Sequence, residues 1–212
     1  MRRNLVIRPI VMCKAPVAGA VKTRLVPFYS EQEAADLHTA MASMVIERAQ
    51  RLFPNTWIAA DDVSHPFFSG FDLPVMPQGG GDLGARMYRL VQRALSYGVD
   101  AVILLGTDSP HMSEARLYAA RDALKSNNVV LGPVQDGGYD LIALRGCWAE
   151  LFADINWGTS QVLEQTLDRL AALGLSHRCL GTSFDVDTAE DMQRILKSGI
   201  ALNYALSREF QR

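Results

Sequence analysis

The sequence predicts an α/β fold: three layers, α/β/α and Rossmann-like, around a mostly parallel sheet of about seven strands with one antiparallel strand. Three observations predict it. Short, β-rich apolar runs alternate with helical patterns along the whole chain, the mark of βαβ units. One connection, residues 134–139, is too short for a crossover helix, so the runs it joins pair antiparallel. The length of 212 residues, 49% of them apolar, suffices for one well-buried core and is short for two. Residues 1–212 therefore read as a single domain.

The first run, residues 5–13, follows two arginines and resembles the start of an export signal. Arg8 and Pro9 break it, and Lys14, Ala15 and Pro16 follow at once. No stretch reaches the roughly 18 apolar residues of a membrane span. It reads as a buried strand, and the protein as cytoplasmic. Ser30 with Glu33 then makes a capping box, behind which Leu37, Met41, Met44, Val45 and Leu52 fall on one helical face. Strands are expected at 56–60 and 73–76. Asp82 caps a helix over 86–96, with Met87, Leu90, Val91, Ala94 and Leu95 inward. A buried strand at 101–106 precedes a helix over 114–125 capped by Ser113. Strands at 128–133 and 140–144 form the antiparallel pair. Leu163, Thr166, Leu167 and Leu170 mark a helix ended by Gly174. A last strand at 177–180 leads to a second capping box, Thr188 with Asp191, and a helix ending before Gly199.

A net charge of −2 speaks against a nucleic-acid surface, which carries a basic excess. Cys13, Cys147 and Cys179 are odd in number and far apart. They fit neither a disulfide framework nor a metal finger, and read as small core residues in a reducing compartment.

Ligands of open α/β sheets bind beyond the carboxyl ends of the strands. Five unusual segments lie there: 14–25, 77–87, 107–112, 134–140 and 182–188. The first brings Lys14, Lys22 and Arg24 into eleven residues around Pro16 and Gly19. Cations beside backbone N–H groups suit a di- or triphosphate. It is not a P-loop, because Ala20 and Val21 separate Gly19 from Lys22. The second holds a GxGxxG at Gly79, Gly81 and Gly84. A dinucleotide fingerprint belongs after the first strand, however, and its ribose-binding acid at the end of the next, where none is found. Glycines that admit a ligand, or a plain turn, explain it as well. The third places Asp108 just past a buried strand, where a carboxylate wants a partner. Mg²⁺ is one such partner and a helix cap the other, but Ser113 already caps the next helix. The last offers Asp185 and Asp187. Asp187 reads either as a metal ligand or as an acid favouring a helix dipole.

Taken in order, KAPVAGAVKTRL, GGGDLGARM, LLGTDSP, GPVQDGGYDLIAL, INWGTSQVLEQT and DVDTAEDM resemble a bacterial group of glycosyltransferase-A-like proteins. That group is described as uncharacterised or as nucleotide-diphospho-sugar transferases, and the resemblance spans residues 5–197. More distantly the chain is similar to phospholactate and molybdenum-cofactor guanylyltransferases. Their Lys-Ser/Thr-Arg-Leu element is matched by Lys22, Thr23, Arg24 and Leu25. Their metal-holding Asp-x-Pro is matched by Asp108, Ser109 and Pro110, and their Thr-Pro-Glu-Asp-Leu element loosely by residues 188–192. In such enzymes the acid before that last element completes the metal site, which points to Asp187. Three positions depart from the group: Asp140 follows Tyr139 where a second aromatic is usual, Ala189 replaces Pro, and Gly158 replaces Ser.

The expectation is a Mg²⁺- or Mn²⁺-dependent transferase acting on a nucleoside triphosphate or nucleotide-sugar and a small acceptor. The catalytic residues are Asp108, Lys22 and Arg24, with Asp108 and Asp187 on the metal. The nucleotide is bound by Lys14, Gly19, Lys22, Arg24, Gly81, Asp82, Gly84, Arg86 and Thr107. The acceptor is lined by Asp136, Gly137, Gly138, Tyr139 and Trp157, although Tyr139 and Trp157 read equally well as core aromatics. The single acid in Thr107-Asp108-Ser109 leans toward nucleotidyl transfer, and the group's name toward glycosyl transfer. Two other classes stand against this reading: a non-catalytic nucleotide-binding module, and an NAD(P)-dependent oxidoreductase.

Overall fold

The computed structural model describes residues 5–199. Among the described residues, seven strands form one sheet: β1 (Ile7–Cys13), β2 (Trp57–Ala60), β3 (Val75–Pro77), β4 (Ala101–Leu105), β5 (Val129–Pro133), β6 (Tyr139–Leu144) and β7 (His177–Cys179). Their order is β3-β2-β1-β4-β6-β5-β7. Every run expected to be a strand forms one, with ends shifted by no more than two residues.

The helices are α1 (Glu31–Leu52), α2 (Leu83–Ser96), α3 (Glu114–Ala123), α4 (Val162–Ala172) and α5 (Ala189–Lys197). The caps act as the sequence suggests. Ser30 and Glu33 exchange bonds at the start of α1, and Thr188 and Asp191 do so at the start of α5. Asp82 and Ser113 cap α2 and α3 by accepting from Ala85 and Arg116 N–H. Because Asp82 is the cap itself, α2 begins three residues before the expected 86.

The central strands are apolar on both faces, as a sheet covered by helices on both sides requires. Alternate residues of β1 and β4 split between two cores. Val11, Ile103 and Leu105 pack with α1 and α3. Ile10, Val102 and Leu104 pack with α2 and α4. A third, smaller core ties α5 to the first half of α1 through Leu37, Met41, Val186, Met192 and Ile195. Cys13 lies in the first core and Cys147 and Cys179 against the second; all three are free thiols.

β6 runs antiparallel to both of its neighbours, β4 and β5. All other pairings are parallel. The reversal has a functional consequence. Strands β1, β4 and β5 end at one rim, and β6 begins there, so Tyr139 and Asp140 reach the rim from the opposite chain direction. Chain connections diverge between the adjacent strands β1 and β4, since β1 leads outward to β2 and β4 lies on its other side. That is the switch point at which open sheets leave a crevice.

Ile103 is fully buried at the centre of β4, with Pro9 and Ala143 as its cross-strand neighbours. Ile103→Ala should cost about 2–5 kcal/mol. Urea unfolding should show a lower midpoint at unchanged slope.

Candidate functional site

A cleft of about 580 Å³ opens at the switch-point rim. The loop after β1, the start of α2, the loop after β4, the start of β6 and the loop before α5 all contribute to its wall.

At its centre, Lys22 heads a 3₁₀ turn over Thr23–Leu25 with a left-handed backbone, φ 47°. Left-handed backbone costs a residue with a Cβ about 1–2 kcal/mol. Its side chain, 4% exposed, turns inward and its ammonium meets two carboxylates. Nζ lies 2.5 Å from Asp108 Oδ1 and 2.8 Å from Asp187 Oδ1. It also donates to the Val186 carbonyl at 2.7 Å. Burial alone would lower the lysine pKa, but the charges and hydrogen bonds of Asp108 and Asp187 outweigh it and hold it above the ordinary value. Arg24 Nη1 reaches the other oxygen of Asp187 at 3.3 Å from the solvent side.

Asp187 arrives from β7, at the far edge of the sheet. Its loop runs back along the rim, with Ser183 N–H donating to the Pro133 carbonyl and Val186 N–H to that of Asp108, 2.8 Å away. Ser109 fastens the same loop, since its Oγ lies 3.1 Å from the Phe184 carbonyl and 2.6 Å from Asp185 Oδ1. Asp185 lines the cleft but differs from Asp187. Burial pushes its carboxyl up to about 7, against the pull of the Ser109 bond and with help from the charges of Asp108, Asp136 and Asp140. Of the two acids, Asp187 is the one that shares a cation with Asp108.

Of the residues expected in the site, Lys14, Lys22, Arg24, Arg86, Thr107, Asp108, Tyr139 and Asp187 line the cleft. Gly19, Gly81, Asp82, Gly84, Asp136, Gly137, Gly138 and Trp157 are not on its wall. Gly84 has a packing reason instead: a Cβ there would come within 2.5 Å of the Phe152 carbonyl oxygen and 2.8 Å of Trp157 Nε1. Gly79 and Gly81 have positive φ and shape the turn before α2, which Arg89 closes by donating to the carbonyls of Gln78 and Gly80. Asp136 accepts from Gly138 N–H and holds the hairpin between β5 and β6. Tyr139 and Trp157 meet edge to face at 6.5 Å and pack against the α2–α4 core.

Sequence reasoning did not single out Gln78 or Arg116. Gln78 is buried in the cleft wall, donating to the Cys13 and Ala59 carbonyls while its Oε1 accepts from Arg86 at 3.0 Å. Arg86 also donates to the Asp82 carbonyl. The amide thus ties the ends of β1 and β2 together and aims Arg86. Arg116, from α3, pairs with buried Asp140 at 3.0 Å, and burial still pushes that carboxyl up to about 6 against the arginine's pull. Neither residue has a local signal, because each partner comes from a distant segment.

Two carboxylate oxygens aimed at one point suit a hard divalent cation that keeps water and substrate phosphates in its shell. Among the described residues, no group of three or more His, Cys, Asp and Glu side chains could hold a metal. Among the same residues, no helix is long and apolar enough to cross a membrane.

The profile of a bacterial family described as "Uncharacterized protein conserved in bacteria (DUF2064)" matches residues 46–159, more than half of the chain. The chain belongs to this family. The matched span holds Gln78, Arg86, Asp108 and Asp140, whereas Lys22 and Asp187 lie outside it. No curated protein matches the chain. Among solved structures, a candidate nucleotide-diphospho-sugar transferase from Desulfovibrio desulfuricans G20 is 28% identical, with a TM-score of 0.85 over 98% of this chain and 91% of that one. A CMP:2-keto-3-deoxy-manno-octonic acid synthetase complexed with CTP is 12% identical, with a TM-score of 0.57 over 92% and 99%. A Mycobacterium tuberculosis H37Rv protein solved with manganese is 15% identical, with a TM-score of 0.51 over 91% and 98%. The last two share the fold. This DUF2064 chain has the glycosyltransferase-A-like architecture that its motifs suggested.

The raised Asp185 carboxyl makes stability depend on pH. Its pKa moves from an ordinary 3.8 to about 7 in the fold, so the folded state holds the proton over that window. The stability this provides is complete below about pH 4 and is lost as pH rises through about 7. Asp185→Asn removes it. Wild-type stability relative to the variant should fall across this range, by on the order of a few kcal/mol. Urea unfolding at several pH values measures it, and a constant difference would contradict the assignment.

Proposed function

We propose that the chain is a divalent-metal-dependent transferase that moves a group from a nucleoside triphosphate or nucleotide-sugar to a small acceptor. One observation carries the reading: Asp108 and Asp187 aim oxygens at a single cationic point, in a cleft that Lys14, Arg24 and Arg86 also line, beside the acids Asp140 and Asp185. The likeness to a candidate nucleotide-diphospho-sugar transferase supports it, as does a fold shared with a synthetase that binds CTP and a protein that binds manganese.

Lys14 and Arg24 are exposed at the cleft mouth, where Lys14 would reach phosphate oxygens directly and Arg24 by turning from its 3.3 Å contact with Asp187. Arg86 approaches from α2 in a fixed orientation, held by Gln78 and Asp82, and neutralises charge with little reorganisation. Thr107 and Asp108 follow the central strand β4, two and three residues past its end. Asp108 and Asp187 would hold Mg²⁺ or Mn²⁺, which would withdraw charge from a phosphate oxygen as the leaving group departs. Tyr139 and Asp140, at the start of β6, wall the side of the cleft away from the β1 loop. The acceptor would enter there, near the 136–138 hairpin and Trp157. The Arg116–Asp140 pair is buried beneath that side, at the position where the group it resembles has a second aromatic residue. Positioning two reactants in line in such a cleft is worth several kcal/mol of the barrier, about 7 or more in well-oriented systems.

Thermal shift with GTP, CTP, UDP-sugars and NAD, each with and without Mg²⁺, tests the reading. A metal-dependent rise with a triphosphate or nucleotide-sugar is expected. Pyrophosphate release on turnover would mark nucleotidyl transfer, and nucleoside diphosphate release glycosyl transfer. Binding without turnover would indicate the non-catalytic module, and a metal-free rise with NAD the oxidoreductase. Asp108→Asn should abolish the metal-dependent part of the shift while the unliganded melting curve stays cooperative. Normal binding of Mg²⁺-nucleotide by that variant would refute the assignment of Asp108.

A further inference from the structure

Lys22 does something in this structure that a phosphate-binding lysine does not. An ammonium has three N–H donors. Those of Lys22 face three acceptors: Asp108 Oδ1 at 2.5 Å, Asp187 Oδ1 at 2.8 Å and the Val186 carbonyl at 2.7 Å. None is left for a phosphate. The side chain is 4% exposed, so the ammonium is enclosed by the groups it binds. A divalent cation using the same two carboxylate oxygens would have to take the place of Nζ.

We infer that Lys22 is a stand-in cation that makes the cleft select the metal–polyphosphate complex over the free metal ion. The inference rests on the reading of Asp108 and Asp187 as the metal-binding pair. Charge accounts for the selection. Two carboxylates, Lys22 and Arg24 together are neutral, so the pair presents no net attraction to a free divalent ion. An ion arriving alone would evict an ammonium from three acceptors and leave it enclosed without partners, a costly state for a charged group. An ion arriving on a polyphosphate brings replacement acceptors. Lys22 can then turn from the carboxylates to the phosphates while the metal takes its former place. Metal-free nucleotide is disfavoured by the converse, since its phosphates would face Asp108 and Asp187 with Lys22 still bound to them. Lys22 is thus a specificity-determining residue for the form of the substrate.

The test is Mn²⁺ binding followed by the electron paramagnetic resonance signal of the free ion, with no nucleotide present. Wild-type protein should leave Mn²⁺ free at concentrations where Lys22→Met retains it, with at least about a tenfold gain in affinity for the variant. Lys22→Gln, which keeps a polar group between the acids, should gain in the same direction. Mn²⁺ should raise the melting temperature of both variants and leave that of the wild type unchanged. Inorganic tripolyphosphate, which alone removes the free-ion signal, should restore Mn²⁺ retention by the wild type, read as manganese that stays with the protein on gel filtration. Tight binding of Mn²⁺ alone by the wild type overturns the inference even if neither variant folds, and so does a folded variant that gains no affinity. The underlying reading fails separately: variants that gain Mn²⁺, beside a wild type that binds no Mn²⁺-nucleotide, would leave the stand-in intact and remove the transferase.

Discussion

The candidate site depends on a single buried contact, the ammonium of Lys22 between Asp108 and Asp187. It joins three segments that the chain separates widely: the loops after β1, β4 and β7. A charge this enclosed is tolerated only when paired, and removing one partner of a buried pair typically costs about 3–5 kcal/mol. Here the carboxylates keep 44% and 31% of their side-chain surface exposed, so the pairing is half solvated and can be remade with another cation.

The fold makes that contact possible through strand direction. Parallel β1 and β4 end side by side, which sets Lys22 and Asp108 on adjacent loops. The reversed β6 brings Tyr139 and Asp140 to the same rim, where they line the cleft together with the loops after β1 and β4. β7 is at the sheet edge, and only the rim-following path of residues 180–187, pinned by Ser109 and the Asp108 carbonyl, returns Asp187 to the centre.

Local patterns in the sequence carried most of the fold. Caps such as Ser30–Glu33 and Thr188–Asp191 act within four residues, and apolar periodicity reports on a helix or strand directly, so both were legible. Asp108 was legible for a related reason: an acid directly after a buried strand needs a partner wherever the chain goes next. The partner itself was not. Lys22 read as a phosphate ligand because its neighbours Lys14 and Arg24 are cations, whereas its geometry is set by residues far along the chain. Gly84 read as room for a ligand and proved to be room for Phe152 and Trp157, a tertiary contact that no spacing encodes. Gln78 and Arg116 were silent for the same reason, each gaining meaning only through strands and loops distant in sequence.

The central claim is that Asp108 and Asp187 share one divalent cation with a polyphosphate. A crystal structure with Mn²⁺ and a non-hydrolysable nucleoside triphosphate, read by anomalous scattering, tests it most directly. The predicted result is a manganese peak bonded to both carboxylates, with the Lys22 ammonium moved onto a phosphate oxygen. A peak elsewhere, or a nucleotide bound with Lys22 still clasped between the two acids, would contradict it.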